Sequence, residues 1–303
     1  MRIGTKEICL TFVFGLLALT AEAANYTGWR LDGTAAEVLP RNFRLCTAAL
    51  FEKSGEDTAR RPALAASGSG QPSGAGFFVL YARLREAAGE NVPIYLVDLR
   101  QESHGFVNDG VPVSWYEPHN WANLGCDASV VREREAQQLA ALIGTDLYAV
   151  PLGKTDTQNL TAYAARIIDA APEEVWATAA GFRYVRFAAA DQRFPEPEAV
   201  DAFLHFYQAL PQGAWLHFHC HAGHGRTTTY LVFYDILKHP EQTVETIAER
   251  QRAIGGADLL AASDVPEIVD RAEKLHLFYE YVKEQRESGF SVPWSLWIEA
   301  RGQ

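Results

Sequence analysis

A cysteine and an arginine are separated by five residues in the run His219-Cys220-His221-Ala222-Gly223-His224-Gly225-Arg226-Thr227. A thiolate is a strong nucleophile, and a guanidinium offers a planar fork of donors that fits two phosphate oxygens. Gly223 and Gly225 permit tight turning and close backbone approach to a ligand. Successive N–H groups of such a loop make an anion site without any side chain. Thr227 can place a hydroxyl hydrogen bond on the sulfur, both when it attacks and when it leaves. Together these residues suit one chemistry: sulfur attacks a phosphoryl group whose charge Arg226 and the loop amides hold. His221, Ala222, Gly223, His224 and Gly225 would line the substrate.

Such a loop needs a strand to deliver the sulfur and a helix to point its N-terminus at the anion. Ala214 to His219 is short, apolar and aromatic, follows the Pro211-Gln212-Gly213 turn, and reads as a buried strand. Thr227 to Lys238 is mostly apolar, stops at His239-Pro240, and reads as a helix. The positive field at that helix start favours thiolate over thiol. Two other readings exist. Cys220 could be a structural thiol, or His217, His219, Cys220, His221 and His224 could gather a zinc ion. His217, His219 and His221 instead alternate along a strand, and a zinc site gives the loop glycines no purpose. No metal and no cofactor are therefore expected.

A proton donor is needed for the leaving alcohol. Asp191 lies in the proline-bearing loop Asp191-Gln192-Arg193-Phe194-Pro195, after a strand-like stretch at 184–188 and before a helical one at 198–209. That position suits a general acid, although a lone loop aspartate is also a common helix cap.

The rest of the chain supplies context. Residues 1–23 resemble a secretory signal: Arg2 and Lys6, an apolar run from Ile8 to Leu19, then Ala21-Glu22-Ala23. The run is short of the ~20 residues a bilayer requires, so cleavage and a periplasmic or secreted protein are expected, the alternative being an uncleaved anchor. The segment's charges cancel, so the mature chain keeps a formal charge of −11. That balance disfavours nucleic acid and anionic membranes as partners, while a pocket can still be locally basic. Cys46 and Cys126 remain beside Cys220 and are expected to pair, with two separate thiols as the alternative. Residues 60–76, rich in Ala, Gly, Ser and Pro, read as a loop or linker. Ser73 would cap a helix over 77–88. Residues 93–98 read as a strand, 158–170 as a helix, 241–254 as a helix and 264–286 as the last helix. Asp98 and Arg100 could pair with each other.

With these pieces in place, the chain resembles the bacterial PTP-like (cysteine-dependent) phytases of the protein tyrosine phosphatase superfamily. The resemblance is carried by PRNFR at 40–44, SGSGQPS at 67–73, VDLRQESHGFVN at 97–108, PVSWY at 112–116 and NWAN at 120–123. It continues through RYVRF at 183–187 and LPQGAWLHFHCHAGHGRTTTYLVFYDIL at 210–237 to IGG at 254–256 and FYEYVK at 278–283. It implies an α/β, protein-tyrosine-phosphatase-like core, about 60–105 and 150–303, with a small β-barrel-like domain from about 24–60 and 106–150. It implies stepwise, metal-independent hydrolysis of myo-inositol polyphosphates through a phosphocysteine. Phosphotyrosine or phosphoinositide substrates are the alternative. Cys220, Arg226 and Asp191 match nucleophile, phosphate-binding arginine and general acid. Arg44 matches a basic substrate contact, and Glu102 and His104 fall in a polar loop near the site. Gln192 stands where many relatives have His, and His224 where many have Lys. The last helix, with Arg271 and Lys274, carries less positive charge than is common. Lys274 is expected to face substrate, and a protonated His224 would shift activity toward acid pH. The oligomeric state stays open, a homodimer included.

Overall fold

The computed structural model describes residues 26–46, 64–152 and 160–302. The signal segment expected at 1–23 lies outside them. In chain order the strands are β1 (Gly28–Leu31), β2 (Arg44–Leu45), β3 (Ala66–Ser69), β4 (Ile94–Arg100), β5 (His104–Val107), β6 (Val111–Tyr116), β7 (Asp146–Ala149), β8 (Tyr163–Arg166), β9 (Ala170–Ala171), β10 (Arg183–Ala189) and β11 (Trp215–His219). The α-helices are α1 (Gly74–Ala88), α2 (Ala128–Leu142), α3 (Glu173–Ala180), α4 (Pro197–Ala209), α5 (Gly225–Lys238), α6 (Val244–Ala253), α7 (Pro266–Gln285) and α8 (Trp294–Glu299).

The central sheet runs β10-β4-β11-β3-β2, with the first four strands parallel and β2 antiparallel at the edge. Parallel strands are buried on both faces, which is why Trp215–His219 is a continuous buried run. One face packs against α1 and α3 through Phe77, Leu80, Leu84 and Ala177. The other carries the larger aromatic core, where Phe203, Phe218, Tyr230, Phe233, Phe278, Tyr281 and Trp294 meet. α5 runs through this core with every residue from Arg226 to Leu237 buried. Its N-terminus is thereby fixed at the carboxyl end of β11.

A second sheet, β1-β6-β5-β9, is antiparallel and open, not the barrel that the resemblance implied. β4 and β5 join the two sheets through Gln101-Glu102-Ser103, so that segment sits at their junction. A two-stranded ribbon, β7-β8, completes the β structure among the described residues.

Three local expectations are corrected. Residues 60–76 contain β3, a core strand whose small residues Ser67, Gly68 and Ser69 let β11 and α5 approach closely. A side chain on Gly68 would meet Thr227 Cγ2 at 2.7 Å. Within the helix expected at 158–170, of which 158–159 lie outside the described residues, Tyr163–Arg166 is strand: Leu147 pairs with Ala165, and Ile167 is buried while Ile168 is exposed. Pairing with β7 overrides the helical spacing. Finally, α2 was not anticipated, because its inward face carries the charge of Glu135 among Val131, Leu139 and Leu142. Asp127 caps it, accepting from the N–H groups of Ser129 and Val130.

The cysteine pairing is corrected as well. Cys46, Cys126 and Cys220 are all free thiols. Cys46 is sealed in the aromatic core with its thiol 3.7 Å from Gln251 Oε1, whereas Cys126 is half-exposed just before α2. Burial pushes the Cys46 thiol up to about 12.

Candidate active site

Cys220 sits at the end of β11, buried, with the loop closing over it. Gly223 N–H points at Sγ from 3.3 Å, and the Thr227 hydroxyl donates to Sγ from 3.2 Å. The loop holds this shape because it is pressed against the end of β3. Gly223 has φ +79°, and a Cβ there would stand 2.4 Å from Gly70 N. A side-chain-bearing residue is excluded on both counts.

Arg226 is in the first turn of α5 and buried. Its Nη1 and Nη2 grip Glu102 Oε2 and Oε1 at 2.6 and 3.0 Å, and Nη1 also donates to Ala189 O at 3.1 Å. A guanidinium has five N–H groups, so the edge formed by Nε–H and one Nη2–H stays available. Nε has no hydrogen-bond partner and lies 3.4 Å from Asp191 Oδ1. Burial alone would make Arg226 easier to deprotonate, but the Glu102 carboxylate outweighs it and pushes its pKa well up. Burial likewise would raise Glu102, while Arg226 and Arg100 hold its carboxyl well below the usual range. Both stay charged.

Asp191 reaches this edge from the loop after β10. Asn120 Nδ2 donates to its Oδ2 at 2.8 Å, and Trp121 Nε1 donates to its main-chain O at 3.0 Å. The Arg193 guanidinium lies over the Trp121 ring. The structure therefore brings Cys220, Arg226 and Asp191 close to one another.

Other expected residues take different stations. Arg44 lies beneath the loop rather than at its mouth, donating to Gly223 O at 2.7 Å and Thr228 Oγ1 at 3.1 Å. It braces the loop. His104 is behind Glu102, with Nδ1 2.9 Å from Glu102 O and Nε2 3.3 Å from Asp98 Oδ2. It faces the charged sheet junction, where Glu135 and Glu173 also lie within 3.4 Å of its ring nitrogens. Asp98 and Arg100 do not pair through side chains. Asp98 meets Arg186 and His104, and only the Arg100 main-chain N–H reaches it. Ala222 O accepts from Asn42 Nδ2. Gln192 is exposed with φ +64°. His224 is exposed at the start of α5; partial burial with Arg44 and Arg41 nearby lowers its pKa, which counts against the protonated form. Lys274 is ion-paired with Asp270 at 2.8 Å.

The histidines diverge instead of gathering an ion. His217 is held between Ser67 and Ser69, His219 Nε2 is 2.6 Å from Glu173 Oε1, and His221 Nε2 is 3.2 Å from Asp32 Oδ1. Among the described residues, the group spaced for a shared metal is Asp98, Glu173 and His219, which excludes Cys220.

Sequence reasoning missed several contributors. Asp32 and Arg30 carry no local motif, and beyond each other their partners are far along the chain. Asn120 and Trp121 lie in a segment singled out only for resemblance. Arg271, by contrast, was singled out with Lys274 on the last helix; it packs against Gly225, with Nη1 3.2 Å from where a Cβ would be, and is buried near Asp191.

Comparison with known proteins agrees with this geometry. The PTP-like phytase family model, described as inositol hexakisphosphate, matches residues 97–238. Effector protein hopD2 of Pseudomonas syringae pv. tomato is 31% identical over 225 residues, covering 71% of this chain and 47% of that protein. The chain thus spans about half the length of this curated relative. The PTP-like myo-inositol phosphatase of Mitsuokella multacida, solved with myo-inositol-(1,3,4,5)-tetrakisphosphate, superposes with a TM-score of 0.80 at 33% identity, over 91% of this chain and 50% of that one. A PTP-like phytase of Bdellovibrio bacteriovorus gives 0.71 at 29% identity, over 91% and 95%. The Cys220 loop, the Arg226–Glu102 pair and these likenesses along nearly the whole described chain agree: the protein belongs to the PTP-like phytase family.

Proposed function

We propose that this chain is a cysteine-dependent phosphatase that removes phosphates stepwise from myo-inositol polyphosphates, without a metal. The observation that carries it is the convergence of Cys220 Sγ, the open Nε/Nη2 edge of Arg226 and the Asp191 carboxylate on one spot. The inositol substrate class rests on the family and on the Mitsuokella complex.

In the first step the Cys220 thiolate attacks phosphorus in line. The ester P–O bond breaks, and Asp191 gives its proton to the leaving alcohol. In the second, Asp191 takes a proton from water, which attacks the phosphocysteine. Phosphate leaves, and the thiolate returns to the Thr227 hydroxyl. Arg226 and the loop amides bear the charge on the equatorial oxygens throughout, which is the part a metal plays elsewhere. Glu102 keeps Arg226 from swinging, so its free edge is aimed before substrate arrives. The apolar N-terminal stretch ending in Ala21-Glu22-Ala23 supports export to the periplasm or beyond.

The test is phosphate release from myo-inositol hexakisphosphate and from a phosphotyrosine peptide, with chelator present, by the protein and its Cys220→Ser variant. Release from the inositol substrate that vanishes in the variant and ignores chelator supports the proposal. Release mainly from the peptide moves the substrate class. Turnover that survives Cys220→Ser ends the cysteine mechanism.

A further inference from the structure

Asp32 immediately follows β1 in the second sheet, yet its buried carboxylate meets His221 Nε2 of the Cys220 loop at 3.2 Å, and two further chains of contacts run from it into the catalytic apparatus. One leads to the acid. Arg30 Nε donates to Asp32 Oδ1 at 2.9 Å, Arg30 Nη1 donates to Asn120 Oδ1 at 3.1 Å, and Asn120 Nδ2 donates to Asp191 Oδ2 at 2.8 Å. The other leads to the phosphate side. Arg100 Nη1 donates to Asp32 Oδ2 at 2.8 Å, Arg100 Nε donates to Glu102 Oε1 at 2.9 Å, and Glu102 holds Arg226. The Ser114 hydroxyl donates to Oδ1 at 2.9 Å and anchors the carboxylate to β6.

The direction of each contact matters. Asn120 has one carbonyl and one NH₂. With its carbonyl taken by Arg30, only the NH₂ can face Asp191. Arg30 is shared between Asp32 and Ser114 Oγ, to which Nε and Nη2 donate at 3.2 and 2.9 Å, so losing Asp32 loosens the Arg30 grip on Asn120 and losing Arg30 frees the amide to rotate and release the acid. On the other branch Glu102 is shared between Arg100 and Arg226, so where Arg100 sits decides where Glu102 can hold Arg226. Burial alone would raise the Asp32 pKa, but Arg100 and Arg30 outweigh it and hold the carboxyl well below the usual range. The hub is thus an anion wherever the enzyme would work.

We infer that Asp32 is a positioning residue that sets Asp191 and Arg226 relative to each other, so that the acid and the phosphate-holding edge are aligned by one carboxylate from the second sheet. The inference rests on the proposed phosphatase chemistry. It differs from a purely structural role in what it predicts for two kinds of ester. An aryl phosphate has a good leaving group and leans little on the acid, whereas an alkyl phosphate needs it.

The experiment measures kcat and KM on p-nitrophenyl phosphate and myo-inositol hexakisphosphate for Asp32→Asn, Arg30→Met, Asn120→Ala and the Asp32→Asn/Asn120→Ala double variant. Cys220→Ser is assayed alongside. Asp32→Asn is expected to lower kcat on both substrates by about ten- to a hundredfold, the scale of a misplaced catalytic group. Arg30→Met is expected to lower inositol phosphate turnover at least about tenfold more than aryl phosphate turnover, within the range a general acid supplies. The double variant should lose clearly less than the product of its two single losses on the inositol substrate, because both act on Asp191 through one path. A folded Asp32→Asn protein with near-normal turnover of both esters overturns the inference, as do multiplicative losses in the double variant. If Asp32→Asn does not fold, Arg30→Met decides: equal losses on the two esters overturn it. Turnover retained by Cys220→Ser refutes the underlying chemistry instead, and is read independently of the other variants.

Discussion

Glu102→Gln tests the pair on which the phosphate site depends. Both partners are fully buried, and Glu102 meets Arg226 twice and Arg100 once. The substitution keeps the size of the side chain but removes the charge opposite two guanidinium groups. Deleting one partner of a buried ion pair costs about 3–5 kcal/mol, because the other is left uncompensated. For a domain of this size that corresponds to a fall in Tm of roughly 6–20 °C. The loss should be partly reversible by ligand. Arg226 in the variant keeps only the half-exposed Asp191 carboxylate at 3.4 Å and loses its buried anion, so inorganic phosphate should stabilise the variant more than the parent. Saturation at about a hundred times Kd returns ~2.7 kcal/mol. Turnover should fall by about 10²-fold, the loss typical of removing one preorganised charge-stabilising donor. Thermal melts with and without phosphate, plus kcat on the inositol substrate, measure all three. A variant that melts within about 2 °C of the parent, with the same response to phosphate, would show that Glu102 does not restrain Arg226.

Other outcomes follow from the same geometry. Thr227→Ala removes the hydroxyl 3.2 Å from Sγ and should slow release of sulfur from phosphorus most, so a burst of product should precede a steady rate lowered about tenfold, seen by rapid quench. His224→Lys puts a lasting positive charge at the loop rim, where burial, Arg44 and Arg41 hold the imidazole neutral. KM for the hexakisphosphate should fall several-fold at low salt and return to the parent value at about 1 M salt, where screening is nearly complete. Stability should peak near pH 6.5. Burial lowers His217 well below the ordinary 6.5 and His221 to about 3, so both are neutral when folded, and stability is lost as pH falls and the unfolded chain takes up protons. Burial would lower His104 too, but Asp98 and Glu135 outweigh it and push it up to about 10, so its contribution is full below 6.5 and declines as pH rises toward 10. That decline is at most ~3 kcal/mol between pH 7 and 9.5, at about 1.4 kcal/mol per unit, and His104→Gln should flatten it in urea titrations.

What could be read without coordinates was the chemistry that is local in sequence. Cys220, Arg226 and Thr227 lie within one strand–loop–helix unit, so the spacing alone brings sulfur, hydroxyl and guanidinium to one loop. Asp191 was legible because a proline-bearing loop precedes the helix leading to that unit. The roles of Arg44 and His104 were not legible, because whether a polar side chain faces a pocket or braces its floor depends on the neighbouring strand. β3 escaped notice because a strand built of Ala, Ser and Gly lacks the β-branched and aromatic residues that mark strands. Yet those small residues are what the loop needs, since Gly68 and Gly70 lie against Thr227 and the main chain at His221 and Ala222. α2 escaped because Glu135 interrupts its apolar face, and that glutamate is there to hold Arg186, which donates through Nη1 to both its oxygens at 2.9 Å.

Glu135 points to a broader consequence. The junction between the two sheets is built from ions: Asp32, Asp98, Glu102, Glu135 and Glu173 against Arg30, Arg100, Arg186 and Arg226, with His104 and His219 between them. An apolar junction of the same volume would often be at least as stable. A charged one does something an apolar one cannot. It fixes the direction of each side chain through paired hydrogen bonds, and it leaves Arg226 with one edge unfilled and its charge intact. The catalytic loop comes wholly from the central sheet, but the alignment of its arginine with Asp191 depends on residues before β4 and between β6 and α2. In the full chain, the Arg30→Met/Asp32→Asn double variant keeps Cys220, Arg226 and Asp191 and removes the contacts that Arg30 and Asp32 make to Asn120 and Arg100. It should therefore react with a thiol-directed alkylating agent at Cys220 while turning over inositol phosphate poorly. A folded double variant with full kcat would show that the central sheet aligns the site without them.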